Sequence, residues 1–340
     1  MNKPRGNKLL AVALLAGAWA AAGTAQAWGG RGHAAIAAAA IDTLPDDGPV
    51  FLKRSRDYIA ASAGTPDSWR GESEPFLKID EDPNHGWFRE QFAFMKHPPR
   101  SRYAFVLALY KQRQRIAASD PELARRMNVR WTGTLPYAAV EGYQRLVANM
   151  RQWRATRARG ESTAFLEQSC AFYATWLAHY IGDGAQPLHS SIHHDGWQGP
   201  NPHGYTRDPS IHGRFESEYV EMIGLDERDL SSRYGAPTHQ QGDVFEQILA
   251  FLDDSRGRVE QIYRLDKRGA FADPQDREAR EAVYVSAAAG AAMLRDLIYR
   301  AWRESALPPP APSRPGPVDP DNPGYDPETG SAPAPRSPQM

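Results

Sequence analysis

Apolar residues recur at three- and four-residue spacing along most of this chain, the period of helices with one buried face. The pattern predicts helices at residues 31–43, 50–62, 101–118, 136–157, 162–183, 211–223, 243–264 and 276–304. Between Cys170 and Leu177 the sequence is strongly apolar, as a buried helix would be. Strand-type alternation is nowhere sustained and no repeat is visible. The expected fold is therefore all-α, a multi-helix bundle with long ordered loops. Residues 65–100 carry Pro66, Pro75, Pro83, Pro98 and Pro99 and read as irregular loop. Residues 184–210 are rich in Gly, Pro, His and Asn; an ordered loop of that length is usually functional.

Both ends depart from this pattern. Lys3, Arg5 and Lys8 flank or precede an apolar run from Leu9 to Ala18, and Ala25-Gln26-Ala27 is a small-x-small cleavage site. This is the form of a signal peptide, with an apolar run too short to span a membrane. Residues 1–27 are expected to be removed, giving a secreted or periplasmic protein that begins at Trp28. Residues 28–305 form the expected helical domain. Residues 306–340 read as a Pro-rich disordered tail: the last 33 residues hold 12 prolines and almost no aliphatic side chains, too little burial to offset ordering entropy.

Composition changes this picture little. A hydrophobic content of 41% and a charged content of 24% are ordinary for a globular protein. The formal net charge of −1 neither points to nor excludes nucleic acid, since a small cleft can be locally basic. Cys170 is the sole cysteine, so no internal disulfide forms; its apolar setting predicts a core residue and not a nucleophile. No stable protein partner is expected, and the chain reads as a monomer.

The candidate chemistry lies among the ten histidines. His179 and Asp183 are four apart and share one helical face. Gly184 is expected to end that helix, and Pro187 to turn the chain so that His189 returns from a loop. Two imidazoles and a carboxylate suit zinc. A core helix that ends in a polar patch would show the same residues. His212 and Glu216 repeat the four-residue spacing after a helix start at Asp208-Pro209, and a surface His–Glu pair is the plainer alternative. Asp67, three residues before Arg70, and His85 lie in the loop-rich region, where they also fit a turn cap and an exposed imidazole. Cleavage before Trp28 would free an α-amine which, with its own carbonyl, can chelate metal; Gly29, Gly30 and Gly32 would let the chain fold back to His33.

Taken together, the ordered set Trp28, His33, Asp67, His85, His179, Asp183, His189, His212 and Glu216 resembles the secreted three-zinc phosphodiesterases. These comprise the single-strand-specific nucleases of fungi and plants and the bacterial zinc-dependent phospholipase C. The resemblance runs over residues 28–303. It implies a mostly helical fold with three Zn2+ ions at the base of a cleft. One zinc would take Asp67, His85, His179 and Asp183; a neighbour would take the amine and carbonyl of Trp28, His33 and a shared Asp183; a third would take His189, His212 and Glu216. It further implies hydrolysis by water activated between two of the ions, with Asp67 orienting or deprotonating that water and Arg70 gripping phosphate. A salt bridge is the other reading of Arg70.

Substrate is less determined. The short Trp28–His33 interval, the 23 residues from His189 to His212 and the position of Arg70 resemble the nucleases. Glu216 resembles the phospholipase. Ser217 and the run Gly86-Trp87-Phe88 depart from the nuclease pattern, in which Asn follows the third site's carboxylate and Phe-x-Asp holds a base. Trp87, Phe88, Trp197 and Tyr205 fit stacking surfaces or core. The leading expectation is an endonuclease or 3′-nucleotidase acting on single-stranded nucleic acid or nucleotides. The alternatives are a phospholipase C acting on phospholipid head groups and a non-catalytic zinc-binding protein. His97, His193, His194, His203 and His239 receive no role.

Overall fold

The computed structural model describes residues 28–238, 241–308 and 315–332. The leader expected at residues 1–27 and His239 lie outside the described residues. The fold is all-α. Among the described residues the only β contacts are isolated bridges, Trp87 with Gly133 and Asp326 with Ser331.

Helix α1 spans Gly29–Asp42, α2 Arg56–Ser62, α3 Thr65–Trp69 and α4 Pro75–Glu81. Next come α5 (Arg102–Ile116), α6 (Pro121–Arg126), α7 (Val129–Thr132), α8 (Leu135–Ala158) and α9 (Ala164–Ala185). The chain closes with α10 (Ile211–Gly213), α11 (Tyr219–Ile223), α12 (Glu227–Leu230), α13 (Val244–Arg256), α14 (Val259–Lys267) and α15 (Arg277–Glu304). Local sequence explains several starts. Pro136 stands in the first turn of α8, where its missing N–H is no loss. The Asp276 and Asp243 carboxylates cap α15 and α13 by accepting from Ala279 N and Phe245 N.

The short connection 159–163 folds α9 back along α8, and α1 and α15 pack against α9. Apolar faces meet in two clusters. One joins Leu146, Met150, Leu177, Ile181 and Leu294; the other joins Trp28, Ile36, Phe215, Tyr219 and Tyr263. Helix α1 serves both, with Ala37 and Ile41 in the first and Ile36 and Ala39 in the second. Cys170 is fully buried in the first, and burial pushes its thiol up to about 12, as a core residue requires.

The structure redraws several boundaries. The stretch expected as irregular loop at 65–100 contains α3, α4 and two 3-10 turns, Asp82–His85 and Arg89–Phe92. Its prolines mark helix starts: Pro66 and Pro75 sit in first turns. Gly184 does not end α9, which runs on to Ala185. The stop comes from Pro187, which holds Gln186 extended at φ −81°, ψ 114°. The helix expected at 243–264 breaks between α13 and α14, and that at 50–62 opens as a 3-10 turn over Val50–Ser55. The glycines after Trp28 do not fold the chain back; they form the first turn of α1. In the expected disordered tail, described residues 315–332 make turns, with Asn322 Nδ2 donating to Pro315 O and Gly316 O.

Leu177 is fully buried where α9 meets α8. Leu177→Ala is expected to destabilise the protein by about 2–5 kcal/mol, read as a lowered urea midpoint with an unchanged m-value.

Candidate metal centre

The last turns of α9 are buried on every side, from Leu177 to Ala185. They carry His179 and Asp183 at full burial, and five other segments converge on them. Helix α1 brings His33 and α3 brings Asp67. The 3-10 turns Asp82–His85 and Pro187–Ser190 bring His85 and His189, and the segment Ile211–Glu218 brings His212 and Glu216. Ligand-type atoms lie within 4.8 Å of one another in three groups: His33, Asp67 and His179; His85, His179 and Asp183; His189, His212 and Glu216. All of these residues are buried. His179 and Asp183 lie 3.4 Å apart and His212 and Glu216 2.9 Å apart, so each pair shares a face as its spacing predicts, and the burial of His212 removes the surface-pair alternative.

Arg70 stands beside the cluster, its Nη1 3.8 Å from Asp67 Oδ1, while its Nε pairs with Asp82 Oδ1 at 3.2 Å. Trp28 is fully buried in a left-handed conformation, φ 52°. Its indole donates to Gly182 O at 2.7 Å, and its carbonyl accepts from Gly32 N at 3.0 Å. Residue 28 is thus fixed against the helical turn that carries Asp183. Gly182 is small of necessity, since a Cβ there would lie 2.7 Å from His33 Nδ1.

The hydrogen bonds on the far side of each ring decide what the near side offers. His179 Nδ1 donates to Ala63 O at 2.9 Å, and His189 Nδ1 donates to His85 O. His212 Nδ1 faces Asp195 Oδ1 at 2.9 Å, and His85 Nε2 faces Glu81 Oε1 at 3.2 Å. The acceptors of His179, His189 and His212 hold the outer protons and leave the inner nitrogens as lone pairs, whereas His85 Nε2 lies near Glu81 without a hydrogen bond. Yet the inner atoms face only one another. His212 Nε2 is 3.0 Å from His189 Nε2 and 2.9 Å from Glu216 Oε2; His85 Nδ1 is 3.1 Å from His179 Nε2 and 2.9 Å from Asp183 Oδ2. Among the described residues, both nitrogens of His33, Oδ1 of Asp67 and Asp183, and Oε1 of Glu216 find no hydrogen-bond partner. Buried acceptors that face acceptors are costly unless a cation lies between them. This set of imidazoles and carboxylates fits metal ions.

Without metal, protons must fill that role. Burial pushes the His212 imidazole down, but Glu216 and Asp195 outweigh it and hold it up at about 10. Burial likewise lowers His85, and Asp183 and Glu81 raise it to about 9. Burial raises Glu216, but His212 and His189 bring it to about 2. Asp67 is raised to about 6, first by burial and then by Asp183. For His179, burial prevails and the ring stays neutral.

A cavity of about 660 Å³ opens onto His85, His189 and His212. The site includes residues to which sequence reading gave no role. Glu81 also accepts from Tyr180 OH, and Gln186 Nε2 donates to Glu216 Oε2 at 2.8 Å. Asp195 braces His212. His194 lines the cavity and stacks on Phe88 with centroids 4.3 Å apart; burial lowers its imidazole to about 4. Glu81 stands four residues before His85, a spacing that could have flagged it. Trp87 and Tyr205 are core residues, and His193 stacks on Trp197 with ring centroids 3.9 Å apart. The expected helix at 211–223 carries a π-turn at Arg214–Glu218, which follows His212 and contains Glu216.

No family model matches the chain, and no curated protein matches it.

Two outcomes follow for this centre. Asp195→Asn is expected to weaken metal binding at the His189, His212 and Glu216 group about 10- to 100-fold, measured by competition with a chromophoric chelator. In metal-free protein the raised pKa of His212 contributes stability that is complete below its ordinary 6.5 and is lost as pH rises toward about 10. The urea midpoint of metal-free protein should therefore fall over that window, and His212→Gln should flatten the fall.

Proposed function

We propose that this protein is an exported zinc-dependent phosphodiester hydrolase, acting on single-stranded nucleic acid or nucleotides, related to the secreted three-zinc phosphodiesterases. The observation that carries the reading is the triple group of buried imidazoles and carboxylates at the floor of a cavity whose wall is cationic. His33, Asp67, His85, His179, Asp183, His189, His212 and Glu216 would hold three zinc ions, joined by the backbone of Trp28 once residues 1–27 are removed. Zinc there supplies Lewis acidity: it acidifies water toward neutral pH and offsets negative charge on phosphate oxygens.

The remaining work falls to the chain itself. Asp67 turns Oδ1 to the cluster, which leaves its second oxygen to orient the attacking water and take its proton. Water adds to phosphorus, the bond to the departing oxygen breaks, and a proton ends on that oxygen. Arg70, beside Asp67, meets the non-bridging oxygens with a guanidinium fork. Phe88 and the neutral ring of His194 offer a flat face on the cavity wall that suits a nucleobase.

One observation favours a phospholipid substrate instead. Helix α4, beside the cavity, exposes Phe76 at 84% and Ile79 at 70%, apolar side chains of the kind that enter a membrane surface.

Incubating metal-replete mature protein with single-stranded DNA, RNA and phosphatidylcholine separates the readings. Release of nucleotides without diacylglycerol is expected; the reverse result assigns a phospholipase, and no turnover with zinc bound leaves a metal-binding protein. His212→Ala is expected to lower zinc content from three ions toward two, and turnover by at least about tenfold. One residue added before Trp28 should selectively reduce zinc content, and an unchanged content would remove the amine from the ligand set.

A further inference from the structure

Four cations share the cavity wall with the histidines: Arg70, Lys78, Arg126 and Arg130. Against them stand the carboxylates of Asp82 and Asp195, and Asp195 is committed to His212. Asp82 is the hub. Its oxygens lie 3.2 Å from Arg70 Nε, 3.2 Å from Lys78 Nζ and 3.6 Å from Arg130 Nη1. Asp67 also faces Arg70, at 3.8 Å, but Asp67 belongs to the metal cluster, and Asp82 alone cannot neutralise the cations along the wall, so the wall stays positive in a chain whose formal net charge is −1. Glu72 reaches Lys78 at 3.4 Å and Glu122 reaches Arg126 at 2.8 Å, but both glutamates are well exposed and solvent screens these pairs.

The cations are also arranged in order. Arg70 reaches back to Asp67 in the metal centre, and Asp82 links it outward to Lys78 and Arg130. Beyond them the Arg126 guanidinium lies 5.3 Å from the Trp131 ring centroid, and both residues line the cavity. The Arg130 side chain is 72% exposed and extends toward solvent. A positive path next to an aromatic face is the chemistry that tracks a nucleic-acid strand. It repels a quaternary ammonium head group.

We infer that Lys78, Arg126 and Arg130 bind a second phosphate of the substrate, one beyond the phosphodiester being cut, so that the substrate is a polyanionic single strand and not an isolated diester. This rests on the phosphodiesterase reading above. Arg70 serves the reacting phosphate, the outer three set specificity for chain length, and Trp131 with its arginine takes a neighbouring base.

The test uses Lys78→Gln, Arg130→Gln and their combination, with a fluorescein-labelled single-stranded DNA of about 20 nucleotides. Binding is first measured by anisotropy with chelator-treated protein, so that the readout does not depend on turnover. Each substitution is expected to weaken binding about threefold to tenfold and to reduce the slope of log affinity against log salt by about 0.7. With metal-loaded protein, KM for the oligomer should rise at least fivefold relative to KM for a dinucleoside monophosphate, which has no second phosphate. Equal losses on both substrates or an unchanged salt slope would overturn the inference. So would phosphatidylglycerol vesicles that bind through these side chains while the oligomer does not. If binding depends on Lys78 and Arg130 but the loaded protein cuts no phosphodiester, the functional reading fails and the phosphate wall stands. If the oligomer is cut at the same rate and KM without either residue, the phosphate wall fails and the functional reading stands.

Discussion

Lone pair facing lone pair is the arrangement on which the rest of this structure turns. His212 Nε2 and His189 Nε2 approach to 3.0 Å, His85 Nδ1 and His179 Nε2 to 3.1 Å, and Asp183 and Glu216 close the gaps with negative oxygens. A helical protein could bury this much polarity only by bracing it from outside. Ala63 O, His85 O, Asp195 and Gln186 supply that bracing, each holding one ring or carboxylate in a fixed orientation. The packing of α1, α8 and α15 around α9 then serves a second purpose beyond burying leucines. It brings the His179–Asp183 and His212–Glu216 pairs together with His33 of α1, Asp67 of α3 and the turn-borne His85 and His189.

The same constraint explains the local choices of backbone. Gly182 lets His33 lie against α9, and Gly32 lets the Trp28 side chain tuck under α1, where a Cβ would meet Trp28 Cβ at 2.7 Å. Pro187 ends α9 two residues after its last helical position and sends His189 back toward His85. In each case a residue that weakens or stops a helix stands where the cluster needs an approach that a regular helix would forbid.

Much of this was legible in the chain. Apolar periodicity located α1, α8, α9 and α15, each of which buries a long face, and α5, although that helix buries only Phe105 and Leu109; four-residue spacing paired His179 with Asp183 and His212 with Glu216. Short elements were not legible. Helices α3 and α4 bury too little to leave a stripe, and their prolines read as loop signals although they stand in first turns. The outer brace of the site was also hidden. Ala63 and His85 act through backbone carbonyls, which leave no mark in a sequence, and Asp195 becomes meaningful only once a long loop has folded over His212. The basic wall was partly visible as Arg70, but Lys78 and Arg130 lie 52 residues apart and meet only through Asp82.

The wide turn at Arg214–Glu218 has a consequence for how this chain can vary. A π-turn holds one residue more than an ordinary helical turn, so it is commonly an insertion that the surrounding helix has absorbed. Loss of a single residue there would regularise the segment and leave its hydrogen bonding intact. Where it falls between His212 and Glu216 it would shorten their four-residue spacing to three and shift the carboxylate, now 2.9 Å from His212 Nε2, relative to that ring. The length of this turn, and not only its side chains, therefore sets the contact between His212 and Glu216.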